Sequence, residues 1–221
     1  MPTLFELNQN DNDQLRELIN IGVSHAGDTL SIMMGKRVTV SIPHVSIKNA
    51  SNATIESGFS NEVTVSVLLR VYGLIDGYVL LFFPRKAALH LLGVLSGKKI
   101  GDLRALDDFD RSLFQELGNV ITGGMLQGLS KFLHIEMMHS VPNVVVDMGG
   151  AMLGSVSASM IQLHEEFLSL EVSVCVAPSP DGVVCDGTEG AVGQMYLFMG
   201  PSAVRKILDI TNTIMHSSKA S

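Results

Sequence analysis

The chain has no tryptophan, only two cysteines, and aromatic side chains make up 5% of it. Cys175 and Cys185 are too few for a disulfide framework or a tetrahedral zinc set. The scarcity of rings leaves no stacking platform for nucleic-acid bases. Basic residues are also sparse: the net charge is −7 and no Lys/Arg run exceeds a pair such as Lys98-Lys99. General nucleic-acid binding is therefore excluded as a function class. Crossing a bilayer takes about 18 consecutive apolar residues. The most apolar window, Val63 to Phe83, is broken by Arg70, Asp76 and two glycines. The N-terminus, Met1-Pro-Thr-Leu-Phe-Glu-Leu-Asn8, lacks the basic and apolar regions of a signal peptide. The expectation is a cytoplasmic protein with no membrane insertion. Seven histidines make neither His-Glu-x-x-His nor a Cys/His set, so no metal site is expected.

What is present is a greasy chain: 46% of its 221 residues are hydrophobic, enough for one large domain or two joined halves. Residues 12–34 read as a helix capped by Asp11 or Asn12 and stopped at Gly35. Strands are expected over 37–48, 63–72 and 78–83, the last two joined at Asp76-Gly77, a hairpin signal because glycine accepts positive φ. Pro84 closes that run and 86–95 reads as a helix. A polar connection spans 96–108. The second half repeats the plan: a helix over 109–133, a strand within 135–147, strand-like runs at 153–163 and 168–176, a loop at Pro178-Ser-Pro-Asp-Gly182, a strand at 194–199, and a helix over 201–215 opened by Pro201. The fold class is α/β (α+β), a single domain of residues 1–221 built from two repeats, about 10–100 and 109–216. We expect a monomeric, internally duplicated, pseudo-two-fold body. Two long helices, with further helices, would pack around a shared mixed or antiparallel sheet.

The repeat is sharpest inside the two long helices. One reads Asp13-Gln-Leu-Arg-Glu17-Leu-Ile-Asn20 and the other Ser112-Leu-Phe-Gln-Glu116-Leu-Gly-Asn119, 99 residues later. Each asparagine is followed after 23 residues by a proline, Pro43 and Pro142. A helix advances about 100° per residue, so positions i, i+4 and i+7 share one stripe. Asp13, Glu17 and Asn20 lie on it in the first helix, with Leu15, Leu18, Ile19, Gly22 and Ala26 opposite. Ser112, Glu116 and Asn119 do so in the second, against Phe114, Leu117 and Ile121.

A polar stripe is ordinarily just a solvated face. Such faces fill with Lys, Arg and Glu, however, whereas these hold Asp or Ser, Glu and Asn, twice, on one proline register. An exposed carboxylate can pair with a cation on a partner. A carboxamide donates and accepts at once, so it can hold a water in line for attack on phosphorus.

The pattern Asp/Ser-x3-Glu-x2-Asn-x22-Pro resembles the signature of the chemotaxis phosphatases CheC, CheX and FliY. The resemblance covers nearly the whole chain. Two intact motifs weigh against the single-site CheX type. FliY-like proteins add a flagellar-switch domain, for which nothing remains after Ser221, so a two-site CheC type is expected. The resemblance implies an enzyme that hydrolyses the aspartyl phosphate of the response regulator CheY, with Mg²⁺ carried by CheY and no cofactor of its own. It assigns water orientation to Asn20 and Asn119 and pairing with the regulator's active-site lysine to Glu17 and Glu116. Asp13 and Ser112 take a supporting role, and Pro43 and Pro142 shape the adjoining strand and loop.

A second implied partner is the deamidase CheD. The alternative to an enzyme is a non-catalytic adaptor that binds CheD and CheY to regulate chemotactic adaptation. The apolar stretch after Pro142 runs Val-Val-Val-Asp147-Met148-Gly149-Gly150, where the first half is polar. It is either a docking edge for CheD or a core strand with a bend.

Overall fold

The computed structural model describes residues 7–35, 38–40, 44–49, 60–97, 101–163, 166–176 and 191–218. The elements in chain order are α1 (Gln9–Met34), β1 (Val38–Val40), β2 (His44–Asn49), β3 (Val63–Gly73), β4 (Gly77–Pro84), α2 (Arg85–Ser96), α3 (Asp108–Leu133), β5 (Met137–His139), β6 (Asn143–Met148), α4 (Gly149–Leu163), β7 (Glu166–Val176), β8 (Ala191–Met199) and α5 (Pro201–Ser218), with a 3₁₀ turn at Leu103–Ala105. Every strand pairing is antiparallel.

The sheet order is β1-β7-β8-β4-β3-β5, with β2 also on β7 and β6 also on β3. This order reads alike from either end. The first strands after α1 pair with β7, and the first strands after α3 pair with β3, so each half supplies an edge of the other's sheet. The elements α1, β1 and β2 recur as α3, β5 and β6 at a constant offset of 99 residues.

Both long helices open on a capping box. Asn8 and Asp11 exchange side-chain and backbone hydrogen bonds at α1, and Asp107 and Asp110 do so at α3. Each box satisfies N–H groups that the first turn leaves open. The expected cap at Asp11 or Asn12 is thus corrected to Asn8, because Asp11 serves as the third residue of the box rather than its start. α1 ends at Gly35 in the left-handed region (φ 59). α3 ends 99 residues later at His134, also left-handed (φ 55). A Cβ is costly in that conformation and glycine is not. We therefore expect His134→Gly to raise stability by about 1 kcal/mol, read as a shift of the urea midpoint at unchanged m-value.

Two apolar layers flank the sheet. Val65, Val67, Leu69, Val79, Leu81 and Phe83 point into a core closed by α1, α2, α3 and α5. Leu80, Phe82, Tyr196 and Phe198 point to the other face, under Met152, Leu153, Val156 and Met160 of α4. With both faces covered, the run Val79–Phe83 is apolar at every position rather than alternating.

α4 corrects the strand expected over 153–163. Its buried residues are Gly149, Met152, Leu153, Val156, Ser157 and Met160, a helical period that small serines and glycines disguise. Residues 37–48 hold two strand segments, β1 and β2, instead of one strand; 41–43 between them lie outside the described residues. The loop at 178–182 lies outside them as well.

The β3–β4 hairpin forms, but Gly77 has another role there. The positive φ belongs to Gly73, while Gly77 pairs with Met199 in β8. A Cβ on Gly77 would run into the carbonyl oxygen of Phe198.

Candidate functional site

The two motif helices lie against each other on one face of the sheet. Gly22 sits over Met125 and Leu129, Gly124 over Ala26, and Gly128 over Gly22 and His25. As α1 advances α3 runs back, so the pair is antiparallel. A Cβ on Gly124 would stand 2.9 Å from the Ala26 Cα, and one on Gly128 3.0 Å from the Gly22 Cα. Small residues let the backbones approach closely, which fixes the separation of the helices.

This packing turns the two motif stripes outward. Asp13 and Glu17 are exposed and Asn20 is half-buried; Ser112 and Glu116 are exposed and Asn119 is half-buried. The opposite stripes, Leu15, Leu18, Ile19 and Ala26 in α1 and Phe114, Leu117 and Ile121 in α3, are buried at 4% exposure or less. The core therefore consumes one side of each helix and leaves the acid and amide at the surface.

Among the described residues no hydrogen bond or ion pair engages the side chains of Glu17, Asn20, Glu116 or Asn119, whereas the Ser112 hydroxyl donates to the Phe109 carbonyl at 2.7 Å. The one salt bridge among the described residues is Arg70–Asp76, at 3.3 Å and far from both motifs in sequence. An exposed carboxylate and a half-buried carboxamide with no partner among the described residues keep bonding capacity for something outside the chain.

The fold brings each triplet together but keeps the two apart. In the antiparallel register Asn20 lies opposite Ser130 rather than opposite Asn119. The two asparagines are thus about 16 Å apart along the helix axes, at 1.5 Å per residue. No single ligand atom can touch both, so the helix pair presents two separate Glu–Asn pairs rather than one composite cluster.

Pro142 is buried beneath the second motif. Its carbonyl accepts a hydrogen bond from the Gln115 side chain at 3.4 Å. A Cβ on Gly118 would meet Pro142 at 3.5 Å and the Val67 side chain at 2.7 Å. The corner between β5 and β6 is thereby seated against the motif turn that carries Glu116 and Asn119. Pro43, the matching residue of the first motif, lies outside the described residues. Asp147 and Met148 stand exposed at the end of β6. Gly149 and Gly150 enter α4, their N–H groups bonded to the carbonyls of Glu62 and Ser60, each at 2.9 Å.

The family model for the chemotaxis phosphatase CheX matches residues 65–164. The curated CheY-P phosphatase CheC of Bacillus subtilis is 25% identical over 164 residues, covering 73% of this chain and 78% of that protein. Over these stretches the chain resembles the CheC/CheX family. Solved structures share the fold of this CheC-like chain. Thermotoga maritima FliY superposes with a TM-score of 0.71 at 17% identity, covering 95% of this chain and 99% of that one. A chemotaxis protein CheX from Desulfovibrio desulfuricans gives 0.52 at 17% identity, over 82% and 97%.

Among the described residues no cluster of His, Cys, Asp and Glu could hold a metal ion. No helix among them is long and apolar enough to cross a membrane.

Sequence reasoning passed over one feature beside the second motif. A groove of about 570 Å³ runs along the outer side of α3, between Gly123, Leu126, Gln127 and Ser130 and the segment Ile135–His139. The His139 ring closes its near end, with Nε2 3.5 Å from where a Gly123 Cβ would be. The groove joins α3 to a three-residue strand, so no single sequence window displays it. Its only trace in the sequence is a departure between the repeats: Leu126, Ile135 and Met138 stand where the first half has Gly27, Lys36 and Thr39.

Proposed function

We propose that the chain hydrolyses the aspartyl phosphate of CheY, and that it does so at two places, Glu17/Asn20 and Glu116/Asn119. The observation that carries this reading is the double occurrence of an exposed Glu and a half-buried Asn one helical turn apart, without partners among the described residues. The name of the Bacillus subtilis relative, a CheY-P phosphatase, points the same way.

Neither residue is a nucleophile in this reading. The carboxylate of Glu17 or Glu116 pairs with the regulator's active-site lysine, which registers the helix on the phosphorylated surface. The carboxamide of Asn20 or Asn119 then holds a water opposite the phosphoryl leaving group. The water oxygen bonds to phosphorus and the acyl-phosphate P–O bond breaks. The aspartate carboxylate is restored and inorganic phosphate departs with the proton lost by the water. Mg²⁺ carried by the regulator would supply charge neutralisation at the phosphoryl oxygens, since this chain is read as having no cofactor of its own. Asp13 and Ser112, one turn before each glutamate, border the docking surface. We place the activity in the cytoplasm and read the symmetric sheet as two interleaved repeats of one monomeric domain.

The test is the decay of phosphorylated CheY with Mg²⁺. Added protein is expected to shorten its half-life by about tenfold or more, given the 10²–10³ contributions that single positioned donors make in other enzymes. A half-life unchanged by the protein at micromolar concentration rules the reading out.

The adaptor reading, in which the chain binds CheD and CheY without turnover, draws on Asp147–Gly150, of which Asp147 and Met148 are exposed. The two readings are compatible. CheD binding that survives loss of both asparagines would assign it to a separate surface.

A further inference from the structure

We propose that the groove beside α3 is a docking subsite of the second motif, filled by an apolar side chain of the same phosphorylated receiver domain that Glu116 and Asn119 engage. This rests on the reading of Glu116/Asn119 as a site, and it adds what holds the partner there.

The groove continues the motif stripe. Ser112, Glu116, Asn119, Gly123, Gln127 and Ser130 follow one another along the same side of α3, at the spacings that put helical residues in line. Gly123 lies one turn beyond Asn119, about 6 Å away, and Ser130 about 16 Å away along the axis. A stable protein interface takes about 800 Å² from each partner, a disc of about 16 Å radius. A receiver domain centred on Asn119 therefore covers the groove along its whole length, which fixes the occupant.

The lining chemistry favours an apolar insertion. Leu126 supplies a buried wall, Met137 and Ile135 half-buried ones, and Gly123 an open side with no Cβ. His139 is oriented by its other nitrogen. Nδ1 lies 2.9 Å from the Ser140 carbonyl, which can only accept, so Nδ1 donates there and Nε2 faces the groove. The first motif has no equivalent groove chemistry in its sequence, since Gly27, Lys36 and Thr39 replace Leu126, Ile135 and Met138. The two sites thus share their reacting groups and differ in how they grip.

The experiment uses the full chain with one motif disabled. In Asn20→Ala protein, where only the second site turns over, Gly123→Leu fills the groove and Gln127→Trp overhangs it from an exposed position. Each is expected to raise KM for phosphorylated CheY by about tenfold, the size of one lost interface anchor, with kcat within about twofold. Thermal unfolding of Gln127→Trp at the parent temperature shows that the fold is kept. An unchanged KM in both variants overturns the proposal. So does an equal rise when the same changes are made in Asn119→Ala protein, where only the first site works. Turnover that persists in Asn20→Ala/Asn119→Ala protein would instead overturn the underlying site reading, a separable result.

Discussion

Replacing Asn20 and Asn119 together with alanine is expected to abolish the acceleration of CheY dephosphorylation, by about 10²-fold or more. Each single replacement should leave the other site working. The size follows from what the carboxamide does. It holds the attacking water by two bonds, one donated and one accepted, and alanine offers neither. Single positioned donors in other enzymes are worth about 10²–10³ in turnover, and catalysis of phosphoryl transfer rests almost wholly on positioning and electrostatics.

The fold should not register the change. Both side chains are only half-buried, neither has a partner among the described residues, and alanine is the best helix former. Matched circular dichroism and unfolding midpoints would show this. Full activity in the double variant would remove the asparagines from the chemistry. Loss of activity with loss of folding would show that they act through the core instead.

Gly77→Ala is expected to destabilise the protein by about 3 kcal/mol, the upper end of what an added methyl usually costs in a packed interior. The new Cβ has nowhere to go: it meets the Phe198 carbonyl oxygen, a backbone atom paired in the sheet. Side chains can swing aside, but this oxygen moves only with β8. Phe198 and its neighbours Tyr196 and Leu197 are themselves at 1% exposure or less, so relief would disturb both faces of the sheet at once. The pairing of β4 with β8 also joins the two halves at the centre of the sheet, which makes the strain global. A urea titration with an unfolding free energy within 0.5 kcal/mol of the parent, about the scatter of a surface substitution, would show that the strands can separate without cost.

How much was legible in the sequence depended on how far apart the interacting residues lie. The α1 and α3 stripes were legible because a helix places i, i+4 and i+7 together whatever surrounds it. The strands β3, β4 and β7 were legible from branched and aromatic runs between turn residues. α4 was not, because Gly-Ser-Val-Ser-Ala-Ser carries too few apolar side chains to display its period. Only the need to cover Leu80, Phe82 and Phe198 accounts for a helix there. Gly77 was read for its backbone freedom, while the structure uses its missing side chain.

The sequence by itself determined the two motif stripes, their outward polar faces and the repetition at a fixed interval, because these follow from local helix geometry and from the order of residues. The tertiary structure alone decided that the stripes lie about 16 Å apart on an antiparallel pair and that Pro142 sits beneath one of them. It also decided that a groove opens at Gly123, one turn beyond Asn119. Those features arise between residues brought together by packing, as when Gly124 admits Ala26 and β5 pairs with β3. No local periodicity encodes a contact between segments that meet only when the core closes.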